Sequence, residues 1–296
     1  MKRVINKIFI TLLYAHNWLL GKMPDRYLYG LYLWSIYILL YRVLRYRKKV
    51  VRDNLEKCFP EKSEHERLDI ERRFFLHLTE TIVDTVTCAG TSRKRLQRRM
   101  DFIGLDEHLR ETKGKNWIAA LAHYGSWEYF GVYQLNTPDQ VVGVYHPITN
   151  KAIDDYFFKV RSRFGLRPVT MAGTLLYMVR HRNDERKTNL GLIADQNPTV
   201  FAIDKWFDFL GRKTAFYMGT EKIALRLSLP VYFMHTKKIR RACYQAHFEM
   251  IYDGSERVQE GEITRRYVEM LERQIRMVPE LWMWSHRRWK HKPPEE

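Results

Sequence analysis

Between Trp117 and Thr236 short apolar runs alternate with stretches of helical pattern, and this alternation limits the fold more than any other feature of the 296-residue chain. Trp117 to Ala122, Val141 to Tyr145, Leu166 to Thr170, Asn189 to Ala194 and Val231 to Thr236 each read as a strand bounded by polar or turn residues. Between them, Asn150 to Phe164 reads as a helix that stops at Gly165, a suitable residue just past a helix end. Further helices are expected from about Gly173 to His181 and from Thr220 to Ser228, with an irregular stretch before the latter. Lys237 to Arg241 reads as a basic turn into Cys243 to Tyr252, the second arm of a hairpin, and Glu262 to Val278 as the last long helix. The expected fold is α/β, a mixed and largely parallel sheet covered by helices. Such sheets place ligands at the C-terminal ends of their strands, where His123 and Asp195 both fall.

The first 52 residues have another character. Met1 to Lys7 is basic, and Ile8 to Leu20 is uncharged and mostly apolar, with no small-x-small cleavage site after it. Tyr27 to Tyr41 is fifteen uncharged residues rich in Tyr, Leu and Ile, short of the roughly 20 that a spanning helix needs. Arg42, Arg45, Arg47, Lys48, Lys49 and Arg52 follow at once. An apolar helix followed by cations suits a cytoplasmic-leaflet anchor, whether spanning or lying in the interface. The alternative is a core helix. Residues 1–52 are accordingly expected to be membrane-associated helices, and 53–296 the main domain. The net charge of +17 suits an anionic partner, and 8 Trp with 18 Tyr tilt that partner towards a membrane surface.

Pro60 ends one helix, and Ser63 with Glu66 forms a capping-box pattern for the next. The stripe of Leu68, Phe75, Leu78, Ile82 and Val86 is core packing without chemistry. The basic cluster Arg93 to Arg99 is either a solvated helix face or a contact for phosphate, headgroups or an acidic protein. Cys58, Cys88 and Cys243 have no metal or redox spacing and suit a reducing compartment. No zinc spacing, recognition-helix module or RNA-binding aromatic signature supports a nucleic-acid reading of the charge.

The stretch His123-Tyr124-Gly125-Ser126-Trp127-Glu128 carries the candidate chemistry. The strand delivers His123 at its end, Gly125 and Ser126 turn the chain, and a helix capped by Ser126 puts Glu128 in its first turn. Across such a turn the imidazole and carboxylate can meet. A carboxylate on one ring nitrogen fixes the tautomer and raises the basicity of the other. The alternative is a core histidine satisfied by a local carboxylate.

The H-x4-E block in its wording AHYGSWE resembles the H-x4-D/E motif of membrane acyltransferases, and most closely the bacterial lipid A biosynthesis (lauroyl/myristoyl) acyltransferases. Arg47 to Glu61 (RKKVVRDNLEKCFPE) is similar to the start of that family, and Asn150 to Gly165 repeats its N-x3-D-x6-R-x-R-x-G pattern. Ala194-Asp195-Gln196, Phe209-Leu210-Gly211 with Thr214, Ala215 and Gly219, and Trp284 to Lys290 (WSHRRWK) match further blocks in order.

The resemblance implies a glycerolipid-acyltransferase-like fold with no metal and no cofactor. It implies acyl transfer from acyl–acyl carrier protein to a hydroxyl of a phosphorylated lipid A precursor, on the cytoplasmic face of the cell inner membrane. His123 would be the general base, Glu128 its orienting partner, and Arg161 or a backbone N–H near Gly125 an oxyanion donor. Arg163, Asp195, Gln196, Arg287 and Arg288 would bind substrate. Arg161 and Arg163 leave a helix about 160° apart, so one of them faces the site, and the family pattern favours Arg161. The alternative for both is a surface salt bridge with Asp154 or Asp155, and for Asp195 a simple cap. Other lipid acceptors (a lysophospholipid, a mannosylated phosphoinositide, an amino-acid lipid) or a non-enzymatic basic membrane-surface protein are the rival readings.

Overall fold

The computed structural model describes residues 2–293, with side chains described from residue 9 onward. The chain opens with α1 (Lys2–Lys22), α2 (Asp25–Tyr27) and α3 (Leu33–Tyr37), joined by π-helical turns at Leu28–Tyr32 and Ile38–Val43. Arg45 and Arg47 then take left-handed conformations, and the chain bends by 82° into α4 (Lys48–Cys58). Among the described residues no single helix is long and apolar enough to cross a membrane; Asp25–Val43 with Lys48–Cys58 reaches that length and composition only as a bent pair.

Pro60 stops α4 as expected, and α5 (Glu64–Thr87) begins at the capping box: the Glu66 N–H donates to Ser63 Oγ at 3.3 Å, and the Ser63 N–H to Glu66 Oε2 at 2.8 Å. Then come α6 (Arg93–Gln97), β1 (Met100–Phe102) and α7 (Leu105–Glu111), none of them marked by a long periodic run. The alternating part follows: β2 (Trp117–Leu121), a 3₁₀ helix (Trp127–Leu135), β3 (Gln140–Tyr145), α8 (Lys151–Ser162), β4 (Arg167–Thr170), α9 (Thr174–Arg180) and β5 (Thr188–Ile193). The chain continues with β6 (Trp206–Phe209), β7 (Arg212–Ala215), α10 (Gly219–Leu227), β8 (Val231–Arg240), β9 (Cys243–Tyr252) and α11 (Glu262–Met277).

Seven strands form one sheet in the order β1-β9-β8-β2-β5-β3-β4. β8, β2, β5, β3 and β4 run parallel to one another, while β9 turns back antiparallel to β8 and β1 joins β9 in parallel. The sheet is therefore mixed and largely parallel, as the alternation requires. β2 lies at its centre with all five residues buried, the pattern of a strand covered on both faces. Gly191 of β5 is small for a specific reason: a Cβ there would lie 2.3 Å from Cε1 of Phe130.

Two expectations change in detail. The irregular stretch before α10 contains the antiparallel pair β6–β7, joined through Leu210 (φ 52°) and Gly211 (φ 74°). The basic run Lys237–Arg240 is strand rather than turn, because β8 continues to Arg240 and the reversal falls at Arg241 and Ala242.

The N-terminal helices pack on the body. Leu20, Leu28, Tyr29 and Leu33 share a buried cluster with Val83 of α5 and Ala242. Asp25 accepts from Arg95 at 2.5 Å and Arg99 at 2.6 Å, and Arg95 also donates to the Gly21 carbonyl. The basic cluster Arg93 to Arg99 thus supplies two pins for the N-terminal segment rather than a purely solvated face.

Candidate active site

β2 ends at Leu121, whose carbonyl accepts from Tyr267 Oη at 2.8 Å and from the Ala194 N–H at 3.3 Å. The next residues are stitched to the C-terminal segment: Gly125 N–H donates to Leu281 O, and Met283 N–H to His123 O. Gly125 takes φ +62°, and a Cβ on it would meet Thr236 Cγ2 at 2.9 Å. Glycine is required there on both counts. Ser126 is buried, but its hydroxyl makes no cap bond, so the expected N-cap is absent. Its carbonyl instead accepts from Tyr129 N–H in the first turn of the 3₁₀ helix.

The carboxylate beside His123 is Asp195, not Glu128. His123 Nδ1 lies 2.8 Å from Asp195 Oδ1, and Asp195 Oδ2 accepts the His123 backbone N–H at 3.0 Å and Trp282 Nε1–H at 2.8 Å. β2 and β5 are parallel neighbours, with Leu121 paired to Ile193, so residues two beyond each pair member leave adjacent strand ends together. Burial pushes the Asp195 carboxyl up, but the imidazole and these three hydrogen bonds outweigh it and hold the pKa below the ordinary value. An ionised Asp195 keeps the proton on Nδ1, leaving Nε2 as the basic nitrogen. Gln196 Nε2 stands 3.3 Å from that atom, and the Trp127 ring packs edge-on at 5.0 Å.

Glu128 has a different partner. Its carboxylate takes a two-point hydrogen-bonded ion pair from Arg161, Nε to Oε2 at 3.1 Å and Nη2 to Oε1 at 2.6 Å. The pair fixes the guanidinium plane and leaves Nη1 outside it. The left-over arginine of the α8 motif points elsewhere: Arg163 Nη1 donates to the carbonyls of Cys88 and Thr91. Neither arginine is bridged to Asp154 or Asp155 as the surface reading supposed; Asp155 pairs with Lys151, and Asp154 accepts from Ile148 N–H.

His123, Glu128, Arg161 and Gln196 all line a pocket of about 470 Å³, walled by Phe130, Val132, Val160, Phe164, Leu166 and Leu192 among others. This is the usual size of a small-molecule site, with a few polar groups at one end of an apolar wall. Cys88 also lines it, but burial pushes that thiol up to about 12. It is protonated near neutral pH and is no nucleophile. The backbone N–H of Gly125, an alternative oxyanion donor, is taken by Leu281 O. Arg161 and Gln196 are side-chain donors that line the pocket, and of the two Arg161 carries the charge.

The other residues singled out from the sequence lie outside the pocket lining. Asp195 is 2% exposed and acts behind His123. Arg288 is buried, donating to Asn197 Oδ1 at 2.9 Å and Ala215 O at 2.5 Å over the Phe216 ring, which makes it a tie between the C-terminal segment and β7. Arg287 is exposed, and its carbonyl accepts from Asn197 Nδ2. Sequence reasoning missed Trp282, which holds Asp195, and Trp127, which packs on His123. Trp282 sits two residues before the terminal WSHRRWK block, and that adjacency was its one signal.

Comparison with known proteins places the chain in a family. The model of the family described as bacterial lipid A biosynthesis acyltransferase matches residues 2–291. A lipid A biosynthesis acyltransferase of Haemophilus influenzae is 27% identical over 173 residues, covering 58% of this chain and 53% of that protein, so the match spans about half of that relative's length. The lipid A biosynthesis lauroyltransferase of Escherichia coli is 27% identical over 260 residues, 83% of this chain and 80% of that protein. The palmitoleoyltransferase of the same organism is 25% identical over 262 residues, 84% and 81%. With the match running the length of the chain and the dyad facing an apolar pocket, the protein belongs to the bacterial lipid A biosynthesis acyltransferase family and is an O-acyltransferase.

Proposed function

We propose that the protein moves a fatty acyl chain from an acyl carrier protein thioester to a hydroxyl of a phosphorylated lipid A precursor, at the cytoplasmic face of the inner membrane. The observation that carries the reading is the His123–Asp195 dyad opening on the apolar pocket of about 470 Å³. Nε2 of His123 takes the proton of the acceptor hydroxyl as its oxygen attacks the thioester carbon. Arg161, held flat by Glu128, offers N–H groups to the oxyanion that develops. The tetrahedral species collapses by breaking the C–S bond, and the imidazolium returns its proton to the departing thiolate. The acyl chain lies along Phe130, Val160, Phe164 and Leu166. No covalent acyl-enzyme is required.

A membrane site for this reaction is supported by the N-terminal helices, where Leu12, Trp18, Leu31, Trp34, Ile38 and Val43 are exposed beside a strongly basic bend. An interfacial seat suits these faces, since no single described helix spans. The test is reconstitution of the purified chain with acyl–acyl carrier protein and lipid A precursors, read by mass spectrometry, beside lipid A from cells with and without the protein. Gain of one acyl chain, abolished by His123→Ala, is the expected result. Transfer to lysophospholipid alone would move the acceptor to the rival class.

A further inference from the structure

We propose that His235, His247 and Glu249 form a binding site for a divalent transition metal of the zinc class, on the β8–β9 ribbon and outside the acyl-transfer pocket. In the ribbon His235 of β8 stands directly opposite His247 of β9, and Glu249 is opposite Phe233, one step along the same face. Directly opposed and diagonal cross-strand side chains are within reach of one another. Here the two imidazole rings lie nearly parallel, centroids 4.5 Å apart at 11°, and His235 Nε2 is 2.7 Å from Glu249 Oε2. One ligand atom from each of the three residues falls within 4.8 Å of the other two. A metal ion sits about 2.0–2.2 Å from imidazole nitrogen and carboxylate oxygen, so small side-chain rotations bring three donors onto one ion.

The donor set decides the class of ion. Two imidazoles with one carboxylate favour zinc, cobalt, nickel or copper over magnesium and calcium, which want oxygen ligands. The ring of His247 makes no hydrogen bond among the described residues, so a nitrogen is available. Burial holds His235 below its ordinary pKa, and His247 and Arg273 act in the same direction while Glu249 opposes them. Arg273 is a cation acting on His235 and works against a dication, whereas the Glu249 carboxylate offsets it. Half of the Glu249 side chain is exposed, which leaves room for water to complete the coordination. A bound ion would cross-link the two arms of the ribbon.

The experiment uses the full chain, purified in detergent and stripped with chelator, titrated near neutral pH with Zn²⁺ by calorimetry and with Co²⁺ by visible absorption. One saturable equivalent is expected, with the Co²⁺ spectrum of mixed nitrogen and oxygen ligation and a rise in thermal midpoint on Zn²⁺ addition. His247→Ala and Glu249→Gln, checked for folding by circular dichroism, should each weaken binding. Loss of even an outer partner of a metal ligand costs about 10–100-fold in affinity, and loss of a ligand should cost at least that. Absence of saturable binding overturns the proposal. So does binding of equal affinity in both variants, which would assign the metal to other histidines or cysteines of the chain.

Discussion

At the residue scale the chemistry turns on which carboxylate serves His123. The side-chain hydrogen bonds define two pairs expected to be coupled, His123 with Asp195 and Glu128 with Arg161. His123→Ala should lower kcat by about 10²–10⁴-fold, the usual contribution of a general base. Asp195→Asn should fall in the same range, and the double variant should be little worse than His123→Ala, since paired groups act as a unit. Glu128→Gln should instead be non-additive with Arg161→Ala and additive with Asp195→Asn. Arg161→Lys should fail to restore activity, because a point charge lacks the planar two-point contact. Steady-state kinetics of the singles and doubles measures this, and coupling of His123 to Glu128 but not to Asp195 would reverse the assignment. A second prediction concerns His108, packed among Trp117, Tyr133, Tyr232 and Phe248. Burial lowers its pKa from 6.5 to about 4. The unfolded chain therefore binds the proton first as pH falls. Stability from this group is complete above about 6.5 and is lost as pH drops through about 4. The loss reaches at most about 3 kcal/mol. His108→Phe should flatten the fall of the thermal midpoint across that window.

At the element scale, the pocket exists because β5 carries no side chain where the Phe130 ring crosses it. Gly191→Ala should cost about 1–3 kcal/mol through overpacking. Phe130→Leu should relieve it, with a coupling of about 0.5–3 kcal/mol in the double-mutant cycle measured by denaturation. Additive losses would show that the strand shifts and not the ring. The elements that sequence reading found are those whose signals are local. The capping box at Ser63, the Asn150 cap accepting from Ala152 and Ile153 N–H, and Gly165 at φ +97° are written in neighbouring residues. The β6–β7 turn was missed because its left-handed positions are Leu210 and Gly211 rather than an Asn-Gly pair. Leu210 is kept there by burial and by its N–H bond to Glu272 Oε2 at 2.7 Å, a partner 62 residues away. The same limit applies to the site. His123 and Asp195 were both legible at strand ends, yet their pairing depends on β2 and β5 being neighbours, which no short stretch records. Proximity in sequence favoured Glu128, and sheet order favoured Asp195.

At the scale of the whole molecule, the N-terminal helices are bound to the body through a charged core. Arg99, 3% exposed, donates to Tyr129 Oη at 3.0 Å and to Asp25 at 2.6 Å, and lies 3.9 Å from Asp84, which also accepts from Tyr29 Oη. Tyr29 belongs to the N-terminal segment and Tyr129 to the helix carrying Glu128, so one guanidinium joins the N-terminal helices to the site's own scaffold through packed, hydrogen-bonded groups. The exposed and the buried side of this charge cluster should respond very differently to substitution. Asp25→Asn removes a carboxylate that is more than half exposed, and pairs of that kind contribute about 0–1 kcal/mol. Arg99→Met leaves Asp84 buried without a counter-charge, a change that typically costs about 3–5 kcal/mol. Burial already raises the Asp84 carboxyl above its ordinary pKa, with Arg99 the main opposing influence. Without Arg99 it rises further, and the carboxyl can escape the penalty by binding a proton. A group whose folded pKa is raised favours the fold at low pH and loses that contribution as pH climbs through the folded value. Arg99→Met should therefore be most damaging at pH 8 and partly recover towards pH 5, whereas Asp25→Asn should track the parent at both. Thermal denaturation of the three proteins in one detergent at the two pH values measures this. An Arg99→Met defect of equal size at pH 5 and pH 8 would mean that packing, not the buried charge, is what holds the N-terminal helices to the body.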